Sequence, residues 1–383
     1  MNNNLLKTII NKFNHQFSSH PILIKSPGRI NLIGEHTDYN DGFVFPAAID
    51  KAIIAAIQKS ETAYCTAIAI DENESFEFSL NNIGAIPNGG WKNYVLGVVA
   101  EIQKKGIEIQ AFNLIIGGNI PLGAGLSSSA ALENSIVFGL NELYNLGLSR
   151  NEMILISQMA EHNYAMVKCG IMDMYASMFG KQNSALLLDC RTIEATEYKI
   201  DLGDYQIVLI NTNVKHSLNE TAYNDRREVC EKTAKLLDVK ALRDATEKDL
   251  KKIQAEISEE DYQKALYVIQ ENSRVLSAAQ CIEKNDIQAL GRLLYQSHAG
   301  LQNQYKVSCP ELDFLVDMAK QDSAVAGARM MGGGFGGCTL NIVKKKAINA
   351  FTTKLSSAYK NAFNIECSVY FVELSEGTYR ITE

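Results

Sequence analysis

The sequence predicts an α+β fold built from two domains. Three observations carry that reading. The 383 residues are enough for about two domains or one large one. Strand-like and helix-like segments do not alternate regularly, which argues against a doubly wound parallel sheet. A strand-rich half gives way to a helical half near residue 200, with no internal repeat and no low-complexity linker. The expected domains are therefore 1–200 and 201–383, with the last strand free to join either.

The elements follow in order. Lys7 and Lys12 among Ile9, Ile10 and Phe13 predict an opening amphipathic helix within the first 20 residues. Strands are expected over 21–25, 43–49, 52–58, 64–70 and 75–80, with a polar, glycine-marked loop over 26–42. Pro87, Asn88, Gly89 and Gly90 mark a turn. Tyr94, Val95, Val98, Val99 and Ile102 give 91–107 a helical period. A strand over 112–116 enters a glycine-rich loop, 117–125, and helices are expected over 129–146 and 152–164. Two strands, 185–189 and 205–211, precede helices over 220–237, 259–283, 287–305 and 311–320. Strands over 324–330, 339–343 and 368–372 close the chain, and the first two flank a second glycine-rich loop.

Composition excludes several classes. Hydrophobic residues make up 46% and charged residues 21%, as in an ordinary globular protein. With 37 basic and 44 acidic residues the net charge is −7, a poor match for nucleic acid or an anionic membrane. No apolar run approaches the roughly 18 to 20 residues of a membrane span, and no secretory leader is evident. The eight cysteines are scattered without a Cys-x-x-Cys pair, so reduced thiols in the cytoplasm are expected rather than disulfides or a zinc site.

Three loops carry chemistry. In the segment from Pro121 to Leu132, Gly123 and Gly125 permit tight turns, and Ser127, Ser128 or Ser129 is placed to cap the following helix. A helix N-terminus with free N–H groups attracts phosphate. No Lys ends the loop as a P-loop requires, and Ser128 stands where a dinucleotide fingerprint wants its third glycine. Glu142 has nearly the spacing of that fingerprint's acid but falls inside a helix. A plain serine-rich helix cap is the alternative.

In the loop 26–42, Arg29, Asn31, Glu35, His36, Asp38, Tyr39, Asn40 and Asp41 fall within 13 positions. Carboxylates, an imidazole and a phenol suit the hydroxyls of a neutral sugar. A polar turn is the alternative, and a metal site is disfavoured because no second His lies at ligand spacing. Asp173, after Cys169-Gly170-Ile171-Met172, fits the first turn of a helix, which is the ordinary role for Asp there. The run Gly332 to Gly337 holds more glycine than a turn needs, as close backbone approach to a ligand would require.

Taken in order, these segments resemble the three motifs of the GHMP small-molecule kinases. The run from Gly28 to Asn40 resembles the signature of the branch that phosphorylates galactose. Pro121 to Leu132 resembles the family's phosphate loop, and Arg329 to Cys338 its third motif. Asn211 to Arg227 and Val307 to Leu312 also fit that branch.

The resemblance implies a two-lobed GHMP kinase fold with its active site in the cleft. It implies ATP-dependent phosphorylation of the C1 hydroxyl of α-D-galactose, in a cytoplasmic monomer. The ATP phosphates would lie on Gly123, Ala124, Gly125, Leu126, Ser127, Ser128 and Ser129, with the Trp91 region near the nucleotide. Ser129 (or Ser128) and Glu161 would hold Mg²⁺. Arg29 and Asp173 match the catalytic pair. Glu35, His36, Asp38, Gly170, Asp173 and Tyr223 match positions that contact sugar. Met174, Met166, Met331 and Leu96 stand where relatives usually carry Gln, Gly, Thr and Lys. A kinase for N-acetylgalactosamine or L-arabinose and a galactose sensor without turnover are the alternatives. The intact Ser127-Ser128-Ser129 run and Asp173 favour an enzyme over a sensor.

Overall fold

The computed structural model describes residues 3–17, 20–121, 123–215 and 219–382, without the side chains of residue 3 and residues 215–222. Three sheets form. The largest has six strands in the order Tyr379–Arg380, Ile22–Asn31, Pro46–Lys59, Phe112–Gly118, Cys65–Ala69 and Glu74–Phe78. All its pairings are antiparallel except that of Cys65–Ala69 with Phe112–Gly118.

Strand periodicity decides how this sheet is covered. In Pro46–Lys59, Ile54 and Ala56 point to the face covered by the opening helix Asn3–Phe17, through Ile9 and Phe13. The intervening Ala55 and Ile57 point to the other face, where Ile136, Val137 and Leu140 of the helix Ser128–Tyr144 cover them. Successive side chains in a strand alternate faces, so one strand serves two cores.

A second, four-stranded sheet has the order Val325–Met330, Gly336–Lys344, Tyr205–Lys215 and Ser368–Phe371. Ser368–Phe371 therefore lies in the later half of the chain, while Tyr379–Arg380 crosses back to pair with Ile22–Asn31. A three-stranded sheet joins Phe43–Val44, Ser184–Asp189 and Glu194–Lys199. The helices Glu259–Glu283, Ile287–Asn303 and Pro310–Lys320 pack among these elements, the first with the second and the last two against Val325–Met330.

Several expectations need correction. The loop expected from residue 26 is strand as far as Asn31, with a register shift between Pro27 and Arg29. Its polar residues mask a strand because they are buried: Ser26 and Asn31 are fully covered and Arg29 is nearly so. Two expected strands, 43–49 and 52–58, are mostly one long strand, Pro46–Lys59. The helix expected over 152–164 stops at Ala160 and runs into a wider π turn over Glu161–Ala165. A π turn inside or beside an α-helix often marks a functional site.

Among the elements without a sequence expectation, three differ in how readable they are. The helix Ile348–Phe363 carries a readable signal in Ile348, Phe351, Leu355 and Tyr359, all buried on one side. The strand Glu194–Lys199 does not, because its hairpin turns at Ile193, with φ 57°, where no glycine or asparagine announces it. The two-residue strand Tyr379–Arg380 is fixed only by its long-range partner.

Candidate active site

The strand Ile22–Asn31 delivers Arg29 to the phosphate loop. The two segments approach so closely that a Cβ on Gly28 would sit 2.6 Å from the Leu126 carbonyl. The Arg29 backbone N–H donates to that same carbonyl at 3.1 Å. The guanidinium then makes two parallel bonds to Asp173, Nε to Oδ1 at 2.8 Å and Nη2 to Oδ2 at 2.9 Å, and Nη1 donates to the Gly125 carbonyl at 2.6 Å. This fork fixes both partners, because the planar guanidinium matches the carboxylate.

The helix Ser128–Tyr144 starts at the same place. Ser127 occupies its N-cap position at φ 58°, yet its hydroxyl makes no capping bond. It donates instead to Asp173 Oδ2 at 2.5 Å. The expected serine cap is thus diverted, and the first N–H groups of the helix keep no side-chain cap. Asp173 does stand in the first turn of its own helix, Met172–Phe179, as a helix-start acid would.

Glu35 lies in the loop that follows the strand Ile22–Asn31. Arg329 Nη2 donates to its carboxylate at 2.6 Å, and the Gly332 N–H donates to the same oxygen at 2.9 Å. Arg329 is fully buried and also donates to the carbonyls of Asn31 and Leu32. Burial by itself would raise the Glu35 pKa. Arg329, Arg29 and the Gly332 N–H outweigh it and hold the carboxyl below its ordinary range. The third motif is thereby tied to the first by one buried ion pair.

His36 and Asp38 face the cavity differently. Burial holds the imidazole neutral, its pKa pushed down to about 4. Asp38 moves the other way, up to about 7, from burial and then from the nearby Asp173 charge. Gly170 explains how Asp38 fits, since a Cβ there would overlap its carboxylate.

The Asp38 shift has a testable sign. Its folded pKa lies above the ordinary 3.8. Folding therefore favours the protonated acid, and stability falls as pH rises from about 4 to about 7. Asp38→Asn removes that loss. The variant is expected to gain on the order of 1 kcal/mol at pH 8, discounted for partial solvent access, and nothing at pH 4. Urea unfolding of both proteins at the two pH values measures it, and an equal difference at both would contradict the assignment.

Arg29, Glu35, His36, Asp38, Ser129, Glu161, Asp173 and Tyr223 line one cavity of about 140 Å³, with Gly332 and Gly333 in its wall. Gly170 does not line it but makes room for Asp38. A larger cavity of about 780 Å³ shares Ser129 with it and is walled by Trp91, Tyr94, Gly117, Gly123 and Ser128. Trp91 is steadied by a bond from its indole N–H to Glu74 at 3.1 Å. A third opening, between Gly123 and Gly125 on one side and Gly333 and Gly334 on the other, runs along the two glycine loops. In the second of these loops Gly334 has φ 87°, and a Cβ there would strike the Val307 carbonyl.

Met166 does not line the 140 Å³ cavity and is 69% exposed. Met174 does line it.

Two features escaped the sequence reading. Glu133 is fully buried beside Glu161, and burial, then the Glu161 charge, holds its carboxyl well above the ordinary range. Its position four residues after Ser129 on one helix was a usable signal. Tyr39 and Tyr305, from distant parts of the chain, meet hydroxyl to hydroxyl at 2.8 Å next to His36. No spacing could have joined them.

The helix Ser128–Tyr144 thus begins beside the Arg29–Asp173 pair, where the two glycine loops face each other. The GHMP kinases N-terminal domain model matches residues 93–181 and the C-terminal model residues 278–361. The galactokinase galactose-binding signature matches residues 11–59. The chain is 38% identical over 358 residues to a galactokinase of Thermotoga neapolitana, covering 94% of this chain and 99% of that one. It is 39% identical over 364 residues to a galactokinase of Clostridium beijerinckii, covering 93% and 94%. The crystal structure of Lactococcus lactis galactokinase complexed with galactose superposes with a TM-score of 0.94 at 33% identity, over 98% of this chain and all of that one. Mevalonate kinase of Methanococcus jannaschii shares the fold, with a TM-score of 0.65 at 20% identity over 94% of this chain and all of that one. The chain belongs to the galactokinase family.

Proposed function

We propose that this protein transfers the γ-phosphoryl group of ATP to the C1 hydroxyl of α-D-galactose, giving galactose 1-phosphate and ADP. The observation that carries the reading is the Arg29–Asp173 fork on the floor of the 140 Å³ cavity, reached from the start of the phosphate-loop helix. Phosphoryl transfer asks a protein chiefly for positioning and for positive potential around the transferred group. Arg29 and the uncapped helix N-terminus supply that potential.

Asp173 takes the catalytic position. Held by Arg29 on one side and Ser127 on the other, it accepts a hydrogen bond from the C1 hydroxyl and orients it. In a loose transition state little early deprotonation is needed, so Asp173 takes the proton late. Glu35, His36, Asp38 and Tyr223 complete the sugar site, with Gly170 giving Asp38 its space. ATP takes the larger cavity, with its phosphates over Gly123, Ala124, Gly125, Leu126, Ser127, Ser128 and Ser129.

The residues present suit Mg²⁺. Ser129 and Glu161 line the cavity, and the buried Glu133 adds a second carboxyl beside Glu161, oxygen donors of the kind Mg²⁺ takes. Ser129 and Glu161 would hold the ion, and when bound it would neutralise charge on the transferring phosphates.

All eight cysteines are free, which supports a reducing, cytoplasmic setting. Among the described residues no helix is long and apolar enough to cross a membrane.

Coupled ADP release with ATP and Mg²⁺ across galactose, 2-deoxygalactose, N-acetylgalactosamine, arabinose and glucose tests the reading. Strong turnover on galactose with little on glucose or N-acetylgalactosamine is expected. Turnover confined to another sugar, or binding without turnover, would replace it with a different sugar kinase or a sensor.

A further inference from the structure

The loop that carries Glu35, His36 and Asp38 keeps a costly backbone shape. Gly34 has φ 100°, His36 φ 64° and Asp41 φ 56°. A non-glycine residue persists in that left-handed region only where its surroundings enforce it. The enforcement comes from the helix Glu259–Glu283, in the other half of the chain. Its Tyr267, Glu271, Asn272 and Val275 fall on one face at helical spacing. The Gly34 N–H donates to Glu271 Oε1 at 3.1 Å, and the Phe43 N–H donates to Asn272 Oδ1 at 2.8 Å. Between them the Tyr267 hydroxyl donates to the Glu35 carbonyl at 3.0 Å. Each direction is set by chemistry, since a backbone N–H only donates and a carbonyl only accepts. Val275 closes the face, so that a Cβ on Gly34 would sit 2.8 Å from its Cγ2.

The three polar side chains are themselves held. Glu271 is fully buried and accepts from the Ser297 hydroxyl and from Arg274 Nε, both at 2.5 Å. Asn272 Nδ2 donates to the Val268 carbonyl at 3.0 Å, which fixes its Oδ1 toward Phe43. Tyr267 is fully buried against Tyr305, with ring centroids 4.8 Å apart.

We propose that Tyr267, Glu271 and Asn272 are positioning residues for the sugar site, forming the template on which the loop takes its binding shape. The inference rests on the placing of Glu35, His36 and Asp38 in that site. None of the three template residues lines the 140 Å³ cavity, so they act on galactose only through the loop backbone. A loop that spends part of its time off the template binds sugar with an affinity reduced to the fraction still in place. Saturating sugar draws the loop back, so the loss falls on galactose affinity and leaves turnover intact. The 780 Å³ cavity shares no residue with the loop or the helix, so ATP affinity is spared.

The test splits KM from kcat. Tyr267→Phe keeps the ring and deletes one link, and Asn272→Ala deletes another. Each is expected to raise the galactose KM about fivefold, the worth of one hydrogen bond, with kcat and the ATP KM unchanged. Leu355→Ala is the control: it opens a different core, among Val208, Ile210 and Phe351, and should lower stability without moving the galactose KM. An unchanged galactose KM in both template variants would overturn the proposal. So would a galactose KM that rises as far in Leu355→Ala, or a loss shared by kcat and the ATP KM. Amide exchange of the unmodified protein is expected to show the Gly34 and Phe43 N–H groups strongly protected, with Asn272→Ala releasing Phe43. Rapid exchange at both in the unmodified protein would sink the template and leave the sugar site standing. An unmodified protein that does not bind galactose would instead sink the sugar-site reading before any variant is made.

Discussion

Asp173→Asn is expected to lose at least about 10²-fold in turnover while galactose still binds, the low end for a positioned acid–base group. The amide keeps the shape of the carboxylate and still accepts from Arg29 on one side. It cannot take a proton, and in either orientation its NH₂ group meets an Arg29 N–H, whereas the carboxylate accepted on both oxygens. Galactose affinity should change little, because Glu35, His36, Asp38 and Tyr223 remain in the cavity. Single-turnover phosphoryl transfer beside equilibrium galactose binding separates the two quantities. Near-normal turnover would take Asp173 out of the catalytic role, whereas loss of binding would make it chiefly a sugar contact.

Breaking the ion pair between Arg329 and Glu35 is expected to be the most damaging single change to stability. Both groups are essentially buried, at 0% and 2% side-chain exposure. Arg329→Met leaves the Glu35 charge without its main partner and strips two backbone carbonyls, those of Asn31 and Leu32, of their donors. Removing one partner of a buried pair costs about 3–5 kcal/mol. The double variant Glu35→Gln with Arg329→Met should recover part of that loss, since replacing both members of a buried pair is often tolerated. Urea unfolding of the two variants measures it. If the single and double variants unfold alike, the carboxylate is not what makes the loss of Arg329 costly.

Long helices with a clear apolar period were legible. The boundaries expected for Glu259–Glu283 coincide with those found, and Ile287–Asn303 differs only at its end. Edges and polar strands were not. The stretch Ser26 to Asn31 reads as loop because Arg29, Asn31 and Ser26 are polar, yet they are buried strand residues whose partners lie in other segments. Hydropathy records what a side chain prefers in water and is silent on a partner that folding will bring. The same limit hid Ser127, whose local chemistry suits a cap but whose hydroxyl finds a carboxylate 46 residues away.

The sequence by itself determined the α+β character, the two glycine loops and the set of chemistry-bearing residues, because these depend on composition, local period and spacing. Tertiary structure alone decided which of those residues meet. It joined Arg29 to Asp173, Glu35 to Arg329, and His36 to Tyr39 and Tyr305 across up to 294 positions. It also shifted the pKa values of His36 and Asp38 in opposite directions. Charge state and hydrogen-bond direction depend on distance and desolvation, and a linear chain specifies neither until it is packed.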